Sequence, residues 1–170
     1  MRQMKQVLWI DEANGLAHVQ AGITGAELVH QMKERGYTIG HEPDSIEFST
    51  LGGWIATKAS GMKRNKYGNI EDIVQDVHVI GSNFGCSQRA CQDYEKADKA
   101  VSTYGRVSTG MDLSTLMFGS EGNCGIITSA IIKIWHLPET TVYNGIIFAS
   151  FEDGLKFVRE VAKLSSSKPA

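Results

Sequence analysis

Apolar and polar positions alternate over short stretches, and glycine-rich turns separate them. Gln6–Ile10 (QVLWI) is an apolar run of strand length, and Leu16–Ala21 (LAHVQA) reads as its antiparallel partner. The link between them ends in Asn14-Gly15, a hairpin signal because both residues tolerate positive φ. Thr24 with Glu27 three positions on forms a capping box. It predicts a helix over Gly25–Arg35, with Leu28 and Met32 on one face and Gly36 as the stop. Tyr37–Gly40 is a short extended piece. Ile73–Ile80 alternates as a strand, Asp112–Phe118 is a short helix, and Ile126–Ile134 (IITSAIIKI) is a β-branched strand. After Pro138, Tyr143–Ala149 reads as another strand. Ser150 with Asp153 then caps a helix through Leu164, with Leu155, Val158 and Ala162 on one face. This order of elements is α+β.

Two stretches are too rich in small residues to be ordinary connections. In His41–Gly61 (HEPDSIEFSTLGGWIATKASG), Pro43 keeps Glu42 extended, and Asp44, Ser45 and Ser49 carry short hydrogen-bonding side chains. Ser49 or Thr50 caps a helix predicted from Leu51 to about Ser60. Gly52 and Gly53 cost that helix about 2 kcal/mol relative to alanine, so a close neighbour must offset them. Spacing leaves two readings equal: a ligand cradle, or a helix packed tightly on a sheet. His41 alone reads as a structural histidine. The second stretch, Gly119–Gly125 (GSEGNCG), has a glycine every third residue and feeds the Ile126–Ile134 strand, a setting suited to ligand contact through backbone N–H groups. It is not a GxGxxG opening a helix, so a Rossmann site fails on spacing and order.

Composition narrows the class. At 170 residues with 42% hydrophobic and 21% charged positions, the chain is long enough for one domain, or one and the start of another. A net charge of −2 gives no electrostatic case for nucleic acid. No apolar run approaches the roughly 18–20 residues that span a bilayer, and MRQMKQVLWID is neither a signal nor a transit peptide. Cys86, Cys91 and Cys124 show no CxxC spacing and point to a reducing compartment, and the scattered histidines give no metal-ligand pattern. Lys63, Arg64 and Lys66 lie in a polar loop, Met62–Asn69, and read as a solvated face or as help for an anionic group. Gly81–Gly105, without clear period, reads as a long loop or a short surface helix.

Pro43–Val74 (PDSIEFSTLGGWIATKASGMKRNKYGNIEDIV) resembles the central signature of the alkyldihydroxyacetonephosphate synthase family, which has the vanillyl-alcohol-oxidase (PCMH) type of FAD-binding fold. Gly119–Thr128 (GSEGNCGIIT) is similar to the GSEGxxGIIT motif of that wider superfamily, and Arg106–Asp112 (RVSTGMD) fits the same family. The similarity covers about 4–80 and 105–165. Asn123-Cys124 stand where the motif has Thr-Leu, and Cys124 reads as a packing residue. Gly81–Gly105 is longer than the family pattern.

The resemblance implies the second subdomain of an FAD-binding domain over residues 1–138, and the start of a substrate or cap domain over 139–170. It implies flavin contacts from Pro43, Asp44, Ser45, Ile46, Glu47, Phe48 and Ser49, from Ala56, Thr57, Lys58 and Ala59, and from Ser120, Glu121, Gly122, Asn123, Cys124, Gly125 and Ile126. A helix N-terminus lined by Ser49, Thr50, Gly52 and Gly53 fits that assignment, with close approach and unpaired N–H donors. The family exchanges the acyl chain of acyl-dihydroxyacetonephosphate for a long-chain fatty alcohol, with flavin as a covalent handle and no net redox change. Its pyrophosphate loop and catalytic residues fall upstream of residue 1 and beyond residue 170, so no catalytic residue is expected here, and no metal. Peroxisomal location, membrane-surface association and a homodimer are implied by the family only, with no targeting signal in this chain. Two alternatives remain: a fragment of a flavin-dependent 2-hydroxy-acid or alcohol oxidoreductase of the same fold, and a non-catalytic remnant.

Overall fold

The computed structural model describes residues 3–81 and 113–163. The Gly81–Gly105 segment beyond its first residue, Cys86, Cys91, Arg106–Asp112 and the chain after Lys163 lie outside the described residues. Strands β1 (Val7–Asp11), β2 (Leu16–Gln20), β4 (Val74–Ile80) and β5 (Ile126–Lys133) form an antiparallel sheet in the order β1-β2-β5-β4. The β1–β2 hairpin is as the sequence predicts, but Gly15 alone takes positive φ, at 64°. Asn14 instead donates its N–H and side-chain amide to the Asp11 carboxylate at 3.1 and 2.7 Å.

Helix α1 (Gly25–Lys33) starts at the Thr24–Glu27 capping box, whose side chain and backbone groups bond each other in both directions. Strand β3 (Tyr37–Thr38) pairs with β6 (Trp135–His136) in a separate two-stranded ladder. Helix α2 (Leu51–Thr57) is followed by two single-turn helices, α3 (Arg64–Tyr67) within the expected polar loop and α4 (Ile70–Ile73) leading into β4. A 3₁₀ turn covers Leu113–Met117. α2 ends earlier than the sequence predicts, because Lys58 enters the left-handed region at φ 53° and turns the chain away.

One sheet face carries the core. Ala17, Val19, Ala130, Ile132, Val77 and Val79 pack beneath Leu28 and Met32 of α1 and Leu51, Trp54 and Ile55 of α2. The other face is polar yet buried at His18, Asp76 and Ser129. His18 Nε2 lies 2.9 Å from Ser129 Oγ, its ring is 4.7 Å from that of His78, and His78 Nε2 is 4.0 Å from Asp76.

Residues 139–150 have no regular structure and are exposed, so the strand expected over Tyr143–Ala149 is not formed. A strand needs a partner for its N–H and C=O groups, and none lies beside this segment among the described residues. Helix α5 (Phe151–Lys163) does form, with Ser150 Oγ accepting the Asp153 N–H at 3.2 Å. Leu155, Val158 and Ala162 are exposed, as is Phe151, so the expected apolar stripe is present and uncovered.

Burial depresses three histidines: His18 and His41 each to a pKa of about 4, the first with help from neighbouring His78, and His78 itself, whose lowering Asp76 partly offsets. An unfolded histidine titrates near 6.5, so the unfolded chain binds protons that the native chain refuses as pH falls from 6.5 toward 4. Stability is therefore full above pH 6.5 and declines below it. By pH 5 His18 and His41 each remove about 2 kcal/mol. Urea unfolding should show a lower midpoint at pH 5.0 than at pH 7.5; an equal or higher midpoint at pH 5.0 contradicts the burial argument.

Candidate functional site

Helix α2 lies within the first small-residue stretch and receives the second at its C-terminal end. At its N-terminal end, Pro43–Ser49 folds into overlapping turns. Ile46 N–H donates to Pro43 O at 3.0 Å, while Phe48 N–H and Ser49 N–H converge on Ser45 O at 2.9 and 2.8 Å. This loop is docked on the start of α1, whose Gly25 and Ala26 N–H groups donate to Ser49 O and Ile46 O, both at 3.0 Å. Pro43 is buried and Ile46 half-buried, so both serve packing, whereas Asp44, Ser45, Glu47 and Phe48 face outward. The Phe48 ring is 84% exposed.

At the other end of α2, Gly119 N–H donates to Ile55 O at 3.1 Å and Glu121 N–H to Ala56 O at 2.9 Å. The structure thus joins Ala56–Ala59 directly to the Ser120–Ile126 turn. Pro43–Ser49 stands one seven-residue helix away, about 10 Å at 1.5 Å per residue. Lys58, just after α2, and Glu121, in the turn, are both left-handed, at φ 53° and 48°. Left-handed backbone costs a non-glycine residue roughly 1–2 kcal/mol, and strain of this kind gathers at ligand clamps. Gly122 follows at φ 84° with nothing within 4 Å of where a Cβ would point. Asn123 N–H closes the turn on Ser120 O at 2.9 Å, and half-buried Cys124 packs against the core. Between the two ends, Gly53 and Thr57 form the exposed side of α2.

One sequence expectation is overturned. The first turn of α2 offers no unpaired donors, because Leu51 N–H bonds Ile23 O at 3.1 Å, Gly52 N–H bonds Ala21 O at 2.9 Å and Gly53 N–H bonds Thr50 Oγ1 at 3.2 Å. The two glycines also separate in purpose. A Cβ on Gly52 would meet Ala21 Cβ at 3.0 Å and Ala21 O at 3.1 Å, so Gly52 gives clearance to the backbone that follows β2. Gly53 is exposed and would meet only Thr50 Oγ1, at 3.3 Å. The tight-packing reading is realised at Gly52, while Gly53 leaves its side of the helix open.

Two structural residues at this site carried no flag in the sequence reading. A Cβ on Gly25 would come within 2.6 Å of Ile46 Cγ1 and of Trp54 Cζ2, so only glycine lets the 43–49 loop seat on α1. Trp54 donates its indole N–H to Ser49 Oγ at 2.7 Å. The available signal was weak: a glycine just inside a well-capped helix, where any other residue is better helix-former material.

Gly53 and Gly122 leave backbone open to the close approach of a flat aromatic ring, and Phe48 and Ile126, 84% and 61% exposed, present apolar side chains. The FAD binding domain family matches residues 1–83. With the fold above, this makes the chain an α+β FAD-binding domain, with FAD as its cofactor. The alkyldihydroxyacetonephosphate synthase of Caenorhabditis elegans is 46% identical over 162 residues, which is 95% of this chain and 25% of that protein. That of Dictyostelium discoideum is 35% identical over 161 residues, covering 95% and 24%. A solved alkyldihydroxyacetonephosphate synthase structure aligns with a TM-score of 0.77 at 35% identity, over 95% of this chain and 27% of its own. The chain belongs to the alkyldihydroxyacetonephosphate synthase family, and it spans about a quarter of the length of the curated relatives it matches.

The division of labour between the glycines is testable by stability alone. Gly52→Ala should destabilise by about 1–3 kcal/mol through overpacking against Ala21, while Gly53→Ala, exposed and meeting only Thr50 Oγ1, should be neutral or stabilise by up to about 1 kcal/mol through helix propensity. Denaturant midpoints check this; equal losses at the two positions contradict it.

Proposed function

We propose that this chain holds FAD along the exposed side of α2, between the Pro43–Ser49 loop and the Ser120–Ile126 turn, with Ala56–Ala59 beneath. We further propose that, in a protein of its relatives' length, the bound flavin serves alkyl-for-acyl exchange on acyl-dihydroxyacetonephosphate. The observation that supports the reading most is the convergence of both small-residue stretches on one short helix, with open glycine backbone between them.

In the proposed exchange the oxygen of a long-chain fatty alcohol replaces the carboxylate oxygen on the same substrate carbon. One C–O bond breaks and one forms, the fatty acid leaves, the alcohol proton is released, and no net electrons move. Bound FAD supplies the covalent hold on the substrate. The residues of this chain bind and orient. Gly53 and Gly122 admit the cofactor, Phe48 and Ile126 cover its apolar surface, and Lys58 contributes a cation held 3.9 Å from Glu71. Residues 139–170 are assigned to the start of the substrate-side domain, a placement supported by the uncovered apolar stripe of α5.

The test has two stages. The chain is titrated with FAD and its flavin fluorescence quenching is followed. Saturable binding is expected, weakened about tenfold or more by Gly53→Leu or Gly122→Val, which fill the open backbone. No binding at high FAD would overturn the cofactor placement. A protein carrying this chain over its relatives' length is then assayed for incorporation of labelled fatty alcohol from acyl-dihydroxyacetonephosphate. Incorporation with fatty acid release is expected; flavin reduction by a 2-hydroxy acid without incorporation would overturn the reaction.

A further inference from the structure

Trp54 belongs to the buried core, at 2% exposure, yet its one polar atom reaches the rim of the cofactor surface. The indole is boxed on two sides. The His41 ring lies against it with centroids 4.8 Å apart at 62°, and on another side Gly25 leaves room that a Cβ would close to 2.6 Å. Confined in this way, the side chain has one direction for Nε1–H, which it gives to Ser49 Oγ at 2.7 Å. Ser49 Oγ–H in turn donates to Ser45 O at 2.8 Å, the same carbonyl that gathers the Phe48 and Ser49 N–H groups. A line of hydrogen bonds therefore runs from a rigid core indole into the carbonyl around which the whole 43–49 loop turns. Gly25 serves this line twice, clearing the indole with its missing side chain and holding Ser49 O with its N–H.

We propose that Trp54 is a positioning residue for the cofactor. Through Ser49 it fixes the shape of the Pro43–Ser49 loop and so the direction in which Ser45, Glu47 and Phe48 face FAD. The inference rests on the FAD placement proposed above. An indole N–H bonded to a hydroxyl that passes its proton onward to a carbonyl is directional at both steps, which a packing contact is not. Removing the Ser49 hydroxyl takes one donor from the Ser45 carbonyl, removing the indole N–H releases that hydroxyl from its fixed direction, and either change frees the loop to rotate about its ends.

The experiment compares Ser49→Ala, Ser49→Thr, Trp54→Phe and the Trp54→Phe/Ser49→Ala pair in this chain. Amide hydrogen exchange at Phe48 and Ser49 is measured without FAD, and FAD affinity by fluorescence quenching. Ser49→Ala and Trp54→Phe should each speed exchange in the loop and weaken FAD about fivefold, the usual worth of one hydrogen bond. Ser49→Thr, which keeps the hydroxyl, should restore both readouts. The double variant should bind no more weakly than either single, since both break the same line. Unchanged loop exchange in Ser49→Ala, or losses that multiply in the double variant, would overturn the strut. Faster loop exchange with unchanged FAD affinity would instead overturn the placement of FAD on this loop. If Trp54→Phe does not fold, the Ser49→Ala and Ser49→Thr pair decides the matter.

Discussion

Two backbone hydrogen bonds hold the candidate site to the fold. Leu51 N–H to Ile23 O and Gly52 N–H to Ala21 O suspend α2 from the chain that leaves β2, and Gly52 permits it by lacking a side chain. Because α2 is fixed there, its ends are fixed too. One end caps on Thr50 and carries the 43–49 loop, and the other receives Gly119 and Glu121 on the carbonyls of Ile55 and Ala56. Buried sheet residues pack below, and of the helix only Gly53 and Thr57 stay exposed. The donors of the first turn go entirely to the fold, so what α2 offers a cofactor is clearance rather than charge.

Much of this was legible because its causes are local. The Thr24–Glu27 box, the Thr50 cap, the Asn14-Gly15 hairpin and the Ser150–Asp153 start each need only residues three or four apart, and each is present. The β-branched strand Ile126–Lys133 became a central strand, buried over most of its length. What escaped depends on partners distant in sequence. The early end of α2 comes from left-handed Lys58, a conformation its side chain does not announce. The docking of the 43–49 loop on Gly25 joins segments about twenty residues apart, and the glycine just inside a capped helix is its one weak local sign. Tyr143–Ala149 has a strand's composition, but a strand is completed only by another strand.

The candidate residues divide in the same way. Ser120–Ile126 and Ala56–Ala59 meet directly, because the carbonyls at the C-terminal end of α2 have acceptor capacity to spare: Ala56 O takes the Glu121 N–H, and Ile55 O takes the Gly119 N–H beside that of Lys58. Within Pro43–Ser49 the motif mixes two tasks: Pro43 and Ile46 anchor the loop inward, while Asp44, Ser45, Glu47 and Phe48 present its outer surface. The buried His18, Asp76 and Ser129 on the opposite sheet face belong to neither task. They make that face polar without solvent, and tie its stability to keeping histidine neutral.

The central claim is that FAD lies along the exposed side of α2, spanning both of its ends. Amide hydrogen exchange of this chain with and without saturating FAD tests it most directly. The account requires added protection in two separate segments, 44–49 and 120–126, with little change in β1 or in the β3–β6 ladder. Protection confined to one segment, or appearing instead on the β1 edge, would contradict it.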